Sequence, residues 1–165
     1  MTNSQNLRRI VYFTTTYETQ SQDELMGFYQ RASANALNEE ITGLSVYHKK
    51  SLLHVREGAT DKIANSIART GSSGWQYNLS IVSDVSDVPR LFGKWYACFR
   101  ADDPAFFEDK DGLIDLRDLQ RHPAFERAAE DLTVLSFLQA FMESFVPAKN
   151  PKSILRDEAS AVSKE

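Results

Sequence analysis

Blocks of alternating hydrophobic and polar residues predict strands and helices in turn along the first hundred positions of the chain. Residues 7–13 are typical of a strand, with Ile10 and Tyr12 on one face and Val11 and Phe13 on the other. A strand that is apolar on both sides is expected to be covered on both sides. The polar, threonine-rich residues 14–20 then predict a loop.

A first helix is predicted to begin after Ser21. Ser21 and Glu24 have the spacing of a capping box, in which each residue satisfies a backbone donor of the other. Apolar residues then recur at intervals of three and four, which gives the helix one buried stripe. The members of this stripe are Leu25, Phe28, Tyr29, Ala32 and Ala36. We expect the helix to end near residues 37–40.

The next two apolar segments predict a hairpin, with strands at residues 41–47 and 52–58 joined by a basic turn. His54 lies in the middle of the second strand, among apolar neighbours. Residues 61–70 carry apolar positions at helical spacing and predict a second amphipathic helix, which the glycines and serines of residues 71–74 end.

Two further strands are predicted at residues 77–82 and 93–99, with a polar loop at residues 83–89 between them. The resulting order is βαββαββ, the ferredoxin-like arrangement of an α+β fold. Both helices are then expected on one face of a single sheet. The sequence thus predicts a domain over residues 1–100.

The remaining residues differ in character from this domain. Residues 102–118 are acidic and predict a loop with one turn of helix, and a short helix is expected at residues 123–129, with proline near its start. A strong apolar stripe follows over residues 132–145. Burial of such a stripe stabilises a fold by about 25 cal/mol per Å². We therefore expect residues 101–146 to form a C-terminal helical extension that packs on the sheet face opposite the first two helices, and residues 147–165 to form a flexible tail.

Composition narrows the classes of function. The chain has 165 residues, a net charge of −4 and a single cysteine. Its charge argues against nucleic-acid binding, and no apolar run is long enough to span a membrane. The single cysteine excludes disulfides within the chain, and the polar N-terminus does not resemble a signal peptide. These features favour a cytoplasmic protein.

Tyr12 and His54 are the first candidates for chemistry. If the faces of their strands coincide, the phenol and the imidazole converge beneath the two helices, either as core residues or as a functional pair. The three histidines, His48, His54 and His122, lack the spacing of a metal site. A nucleophilic pair of Cys98 with His54 remains an alternative to a buried thiol. Trp95 either packs in the core or stacks beside a cofactor.

Taken together, several segments resemble the BLUF family, the flavin-dependent blue-light sensing domains, over residues 7–99. The order and spacing of these segments carry the resemblance, because each one alone is short. They are Leu7-x-Arg9-Ile10-Val11-Tyr12, Ala34-Asn35, Ile41-Thr42-Gly43-Leu44, Tyr47, Val55-x-Glu57-Gly58, Arg69 and Arg90-x-Phe92-x-x-Trp95.

The resemblance implies that FAD binds with its ring between the two helices. By position, Tyr12 is the light-driven electron and proton donor, and Asn35 contacts the pyrimidine edge of the ring. Phe28 and Tyr29 are expected to line the ring from the first helix. The remaining cofactor-binding positions implied by the resemblance are His54, Arg69 and Trp95.

The chain departs from the family at several positions of this pocket. His54 replaces the glutamine that exchanges its hydrogen bonds after illumination. Ala36 and Ala97 replace an asparagine and a methionine, Thr70 replaces an apolar residue, and residues 73–76 replace an Asp-x-Arg-His segment. An imidazole carries its donor and acceptor on opposite sides of a ring, and it can protonate near neutral pH. We therefore expect bound flavin to lack the ordinary light-induced red shift.

Two functions follow from the resemblance. The first is a photoreceptor domain, not an enzyme, that binds FAD and signals through its C-terminal helices to an unknown downstream protein or to a second copy of the chain. The second is an interaction module that keeps the fold but has lost flavin or photochemistry. A hydrolase of the acylphosphatase type would need a glycine-rich loop after the first strand, and residues 14–17 contain no glycine.

Overall fold

A computed structural model describes residues 6–108 and 110–144 as one mixed sheet with helices on both faces. The strands are β1 (Leu7–Thr16), β2 (Thr42–His48), β3 (Ser51–Gly58), β4 (Gln76–Val88), β5 (Trp95–Phe99) and β6 (Leu113–Asp115). The α-helices are α1 (Gln22–Glu39), α2 (Thr60–Gly71), α3 (Pro123–Ala128) and α4 (Leu132–Glu143). Two 3-10 helices, Pro104–Phe107 and Leu116–Arg121, flank β6.

The strand order across the sheet is β4-β1-β3-β2-β5-β6. β1 lies antiparallel between β3 and β4, β2 pairs antiparallel with β3, and β5 runs parallel to both β2 and β6. The first five strands and two helices confirm the ferredoxin-like order predicted from the sequence. The capping box also forms, since Ser21 and Glu24 exchange hydrogen bonds at the start of α1.

The sheet separates two hydrophobic clusters, because successive side chains of each strand point to opposite faces. Tyr12 and Leu52 belong to the cluster under α1 and α2. Val11, Leu53 and Val55 belong to the opposite cluster, which α3 and α4 cover. The expected packing of the last helix on this second face is therefore observed. Phe145 and residues 147–165 lie outside the described residues.

Three predictions about the connections are wrong. Residues 14–16 were expected to lie in a loop, but they extend β1 to Thr16. Residues 83–89 were expected to form a loop, but β4 continues to Val88, because backbone pairing with β1 accommodates polar residues on a sheet edge. Residues 102–118 were also expected to form a loop, but Leu113–Asp115 form β6. A three-residue strand is too short to show a periodic pattern, so its parallel pairing with β5 could not be read from the sequence.

The long edge strand β4 is not regular. Its pairing with β1 shifts register between Leu7 and Arg9, between Val11 and Tyr12, and between Phe13 and Thr15. Each shift marks a bulge or irregularity, where one strand carries an additional residue that has no partner opposite. Asn78 and Asp87, both on β4, have positive φ angles of 61° and 59°. These irregularities let the strand follow the twist of β1 over its whole length.

Gly43 explains the closeness of β2 and β3 at the start of the hairpin. Its φ angle is 154°, and a Cβ atom at this position would lie 1.9 Å from the carbonyl oxygen of Val55. Only glycine lets the two backbones approach to this extent. Gly43 of the Ile41-Thr42-Gly43 motif is thus a requirement of strand packing.

A buried carboxylate joins the sheet to the segment before β5. Glu57 is fully buried and accepts hydrogen bonds from the backbone N–H groups of Leu91 and Phe92 and from the hydroxyl of Thr42. Arg9 donates to the same carboxylate at 3.2 Å and forms a second ion pair at 2.7 Å with Asp131. Asp131 also caps the first turn of α4. One charge network therefore connects β1, β3, the β4–β5 loop and α4.

Candidate functional site

A cleft of about 310 Å³ opens between α1 and α2 above the sheet. Such a volume falls within the range of small-molecule and cofactor sites. Both helices, three strands and the segment between α2 and β4 contribute to its wall. The lining residues include Phe28, Ala32, Asn35 and Glu39 from α1, Arg69 and Thr70 from α2, Arg56, Gln76 and Trp95 from the sheet, and Trp75 from the segment between α2 and β4.

Two buried hydrogen-bond donors in this cleft have no partner among the described residues. They are Nε of Arg56 and Nε1 of Trp95. An unpaired buried donor costs about 1–3 kcal/mol, so nearly all such groups in folded proteins find an acceptor. A ligand that presents acceptor atoms would satisfy both donors. The residues present therefore fit a planar ligand with carbonyl or ring-nitrogen acceptors, as the isoalloxazine ring of a flavin has.

Aromatic side chains form the wall beside these donors. The ring of Phe28 meets Trp75 edge to face with centroids 5.1 Å apart, and Trp95 with centroids 5.8 Å apart. Tyr29 stacks on Trp95 at 6.0 Å, and its hydroxyl donates to the backbone carbonyl of Asp111. Tyr29 is not part of the cleft wall; it lies behind Trp95 and holds that ring. Tyr29, which was expected to line the ring, therefore contacts the cleft only through Trp95.

An ion pair connects the two helices at the cleft. Arg69 on α2 donates through both terminal nitrogens to the carboxylate of Glu39 on α1, at 3.1 and 2.6 Å. Asn35 lies one helical turn before Glu39 and also lines the cleft. The positions Phe28, Asn35, Arg69 and Trp95, all suggested by the sequence, are thus brought together around one cavity.

Tyr12 and His54 lie directly opposite each other on β1 and β3, as the shared face predicted. Their rings stack at 4.6 Å, and both side chains are fully buried beneath the cleft. Neither side chain is among the residues that line the cavity. The hydroxyl of Tyr12 lies 3.4 Å from Oγ1 of Thr70, which does line it. The phenol and the imidazole therefore meet through their faces, and Tyr12 reaches the cleft wall by way of Thr70.

A chain of buried hydrogen bonds fixes the imidazole of His54. The hydroxyl of Thr14 donates to Oε1 of Gln76 at 2.6 Å, so its oxygen is free to accept from Nε2 of His54 at 3.2 Å. Nδ1 then accepts from the hydroxyl of Ser45 at 2.8 Å. This direction of donors corresponds to a neutral ring protonated on Nε2. The chain runs from the centre of the sheet to Gln76 at the cleft wall.

The charge state of His54 follows from its burial. Burial lowers the pKa of His54 well below its usual value of 6.5, and the positive charge of Arg56 lowers it further. Protonation near neutral pH, which the sequence left open for this side chain, is therefore disfavoured. The physical reason is that a positive charge at this depth would lose its hydration without an acidic partner.

We expect the protein to lose stability on acidification below about pH 6.5, the pKa of an unfolded histidine. In this range the unfolded chain binds a proton at His54 and the folded chain does not, so the free energy of unfolding falls by up to about 1.4 kcal/mol per pH unit. Burial also lowers the pKa values of His48 and His122, which act in the same direction. Urea unfolding at several pH values measures the slope, and His54→Gln should reduce it. An unchanged slope in that variant would contradict the assignment.

The other chemical candidates are not assembled. Among residues 6–108 and 110–144, no group of three histidine, cysteine or acidic side chains could hold a metal ion. Cys98 lies in the cluster under α3 and α4, on the sheet face opposite His54. Burial also raises its pKa well above the usual thiol value. A nucleophilic pair of Cys98 and His54 is therefore not formed.

Sequence reasoning missed three residues of the site: Arg56, Thr14 and Ser45. A signal for Arg56 was available, because it follows His54 by two positions and so shares its strand face. Thr14 and Ser45 are the small hydroxyl residues nearest to His54 on the two neighbouring strands. Gln76 lies in the segment 73–76, which the resemblance already placed at the pocket, but its hydrogen bond to Thr14 depends on the pairing of β4 with β1.

Comparison with known proteins gives a family and a fold. The family model described as BLUF, sensors of blue-light using FAD, matches residues 7–97. No curated protein matches the chain.

Among solved structures, a bacterial light-regulated adenylyl cyclase superposes with a TM-score of 0.57 and 17% identity over 84% of this chain and 34% of its own. BlrP1 of Klebsiella pneumoniae, solved with calcium and cyclic diGMP, gives a TM-score of 0.62 and 15% identity over 88% and 37%. BlrB, described as a BLUF protein in its dark state, superposes with a TM-score of 0.53 and 13% identity. The match covers 76% of this chain and 84% of BlrB. The chain thus spans about a third of the length of the first two structures, and at these identities the likeness concerns the fold.

Proposed function

Because this chain belongs to the BLUF family of blue-light sensors that use FAD, we propose that it binds FAD in the cleft between α1 and α2 and passes a light signal to another protein. The observation that carries this proposal is the pair of unpartnered donors, Arg56 Nε and Trp95 Nε1, in the wall of that cleft. Their unmet need for acceptors is independent of the family match. Flavin is the family's ligand and has the acceptors that these donors lack.

Different residues of the cleft would contact different parts of FAD. Phe28, Trp75 and Trp95 provide the aromatic surface against which a planar ring packs. Asn35 offers both a donor and an acceptor, which suits the pyrimidine edge of the ring. Arg69 lies at the mouth, where its cation can serve the phosphate-bearing tail in place of Glu39. When bound, FAD supplies the blue-light absorption and accepts an electron.

Tyr12 would act as the electron and proton donor from beneath the cleft. Its hydroxyl already meets Thr70, whose own hydroxyl donates to the backbone carbonyl of Ser66. The phenol of Tyr12 is thereby held at the cleft wall, with its oxygen 3.4 Å from the threonine oxygen.

Output would pass through the C-terminal helices. α4 covers the sheet face opposite the cleft, and its N-terminal cap Asp131 is tied by Arg9 to Glu57 and so to the segment before β5. A displacement of β5 therefore has a direct connection to α4. The receiver is a downstream protein or a second copy of the chain. None of the helices in the described part of the chain is long and apolar enough to cross a membrane.

A second candidate function is an interaction module without flavin. The observation that favours it is the position of Tyr12 and His54, which are fully buried and do not line the cavity. Thr70 and Gln76 stand between them and the cleft. In this version the same fold and the same C-terminal helices bind a partner, and light has no effect.

Absorption spectroscopy of the purified full chain separates the two functions. We expect the protein to be yellow, or to become so when incubated with FAD, because the cleft contains two donors that require acceptors. Illumination with blue light should then leave the flavin band without the usual red shift, since His54 is fixed by Ser45 and Thr14. A protein that takes up no added FAD would support the interaction module. A normal red shift with slow recovery in the dark would contradict the assigned role of His54.

A further inference from the structure

Arg56 is a positively charged side chain at a position where the cleft meets the sheet. It follows His54 by two residues on β3 and therefore points to the same face, toward α2. Its guanidinium carbon lies 5.9 Å from the centre of the Tyr12 ring, and its Nη1 donates to the hydroxyl of Ser66. The side chain lines the cleft and is half-buried.

The charge of Arg56 is not neutralised within the described part of the chain. The ion pairs among residues 6–108 and 110–144 involve other cations, and Nε of Arg56 is buried without a hydrogen-bond partner. An arginine keeps its charge throughout the physiological pH range and has five donors to satisfy. A half-buried cation with an unmet donor is costly unless a ligand supplies an acceptor or a negative charge.

Trp95 adds a second unmet donor to the same cavity. Its indole nitrogen donates only, and it is buried without a partner. A ligand that satisfies both positions therefore has at least two acceptor atoms. The ligand binds more tightly if one of these acceptor atoms becomes negatively charged, because that atom is then attracted to the guanidinium of Arg56.

We propose that Arg56 is a flavin-binding residue that, together with Trp95, donates to acceptors of the ring and stabilises the ring in its negatively charged, reduced form. This inference rests on the proposed binding of FAD and extends it. A cation beside the ring nitrogens or carbonyls raises the reduction potential of a flavin, since reduction places negative charge there. Arg56 thus makes the bound flavin easier to reduce.

A second observation indicates that the charge of Arg56 acts on the buried groups beneath the cleft. The positive charge of Arg56 is one of the causes that lower the pKa of His54 in the core beneath it. The guanidinium on β3 also forms a cation–π contact with the ring of Tyr12 on β1. The guanidinium is therefore close enough to influence the groups on which the photochemistry of the family depends.

The test uses the full chain reconstituted with FAD, at fixed salt and pH. We measure the dissociation constant by quenching of flavin fluorescence and the midpoint potential by dithionite titration with a reference dye. In Arg56→Leu we expect FAD to bind about tenfold more weakly, because one charge-assisted hydrogen bond is lost. We also expect a lower midpoint potential. Arg56→Lys keeps the charge and should retain most of the potential. Trp95→Phe keeps an aromatic ring and should weaken binding without the same change in potential.

Arg8→Leu is the matched control. It removes one positive charge from an ion pair with Asp84 at the sheet edge, away from the cleft, and should leave both measurements unchanged. If the unmodified protein binds no FAD, the proposed function fails and this inference fails with it. If the unmodified protein binds FAD and Arg56→Leu has the same affinity and potential, only the role of Arg56 is overturned. If Arg56→Leu does not fold, Arg56→Lys and Trp95→Phe still test the proposal. An unchanged affinity for FAD in both variants would overturn it.

Discussion

His54→Gln is expected to give the FAD-loaded protein a light-induced red shift that the unmodified protein lacks. A glutamine at this position has an amide with a donor and an acceptor at its tip, and rotation of the amide exchanges them. The neighbouring groups, the hydroxyls of Ser45 and Thr14, can each donate or accept. Ser45 can therefore follow the rotation, and Thr14 follows it by turning its proton away from Oε1 of Gln76.

The imidazole lacks this freedom. Its two nitrogens lie on opposite sides of the ring, and each is already held by a hydroxyl from a neighbouring strand. Turning the ring would break both hydrogen bonds in a site where His54 is fully buried, at a cost of about 1–3 kcal/mol for each group left unpaired. The burial that keeps the ring neutral also keeps it in place.

Difference spectra before and after a blue-light pulse measure the effect. His48→Gln, at a half-buried position at the end of β2, is the matched control and should behave as the unmodified protein. Loss of flavin from His54→Gln would be visible as loss of the absorption band itself. A variant that retains the band but shows no shift would contradict the assignment of His54 as the residue that prevents the red shift.

Glu57→Ala is expected to be the most destabilising substitution in the hairpin. It leaves Arg9 buried without one of its partners, and it removes the acceptor of the backbone N–H groups of Leu91 and Phe92. Breaking a buried ion pair by removing one partner costs about 3–5 kcal/mol. A typical domain has about 5–15 kcal/mol in total, so the variant should lose a large share of the stability of the fold.

Urea unfolding followed by circular dichroism measures this change. Asp84→Ala removes the acid of an ion pair between β1 and β4, where both partners are partly exposed, and should cost at most about 1 kcal/mol. If the two variants lose similar stability, the network around Glu57 is not what anchors the segment before β5.

Much of the fold could be predicted because local patterns and packing agree. Ser21 and Glu24 mark the start of α1, and the alternation of Val11 with Tyr12 separates the two hydrophobic clusters. β6 could not be predicted, because its three residues pair only once β5 is in place. Secondary structure that depends on a partner distant in sequence leaves no periodic signal.

The site divides in the same way. Phe28, Asn35, Arg69 and Trp95 could be assigned by family position, and the structure places all four around one cleft. The surroundings of His54 could not, because the residues that bind it come from two other strands. A histidine in an apolar strand is compatible with a charged or a neutral ring. Only its hydrogen bonds to Ser45 and Thr14, and the depth at which they lie, decide between the two.

The irregular pairing of β4 has a consequence for the behaviour of the protein in concentrated solution. β4 is a long outer strand, and Ile81, Val82 and Val85 on it are exposed, a combination that invites strand-to-strand aggregation. Its three register shifts and two left-handed residues interrupt the straight row of backbone donors and acceptors that an incoming strand would need. At the other end of the sheet, β6 offers only three residues. Both margins of the sheet are thereby protected, so copies of the chain that associate should do so through their helices and not by extending the sheet.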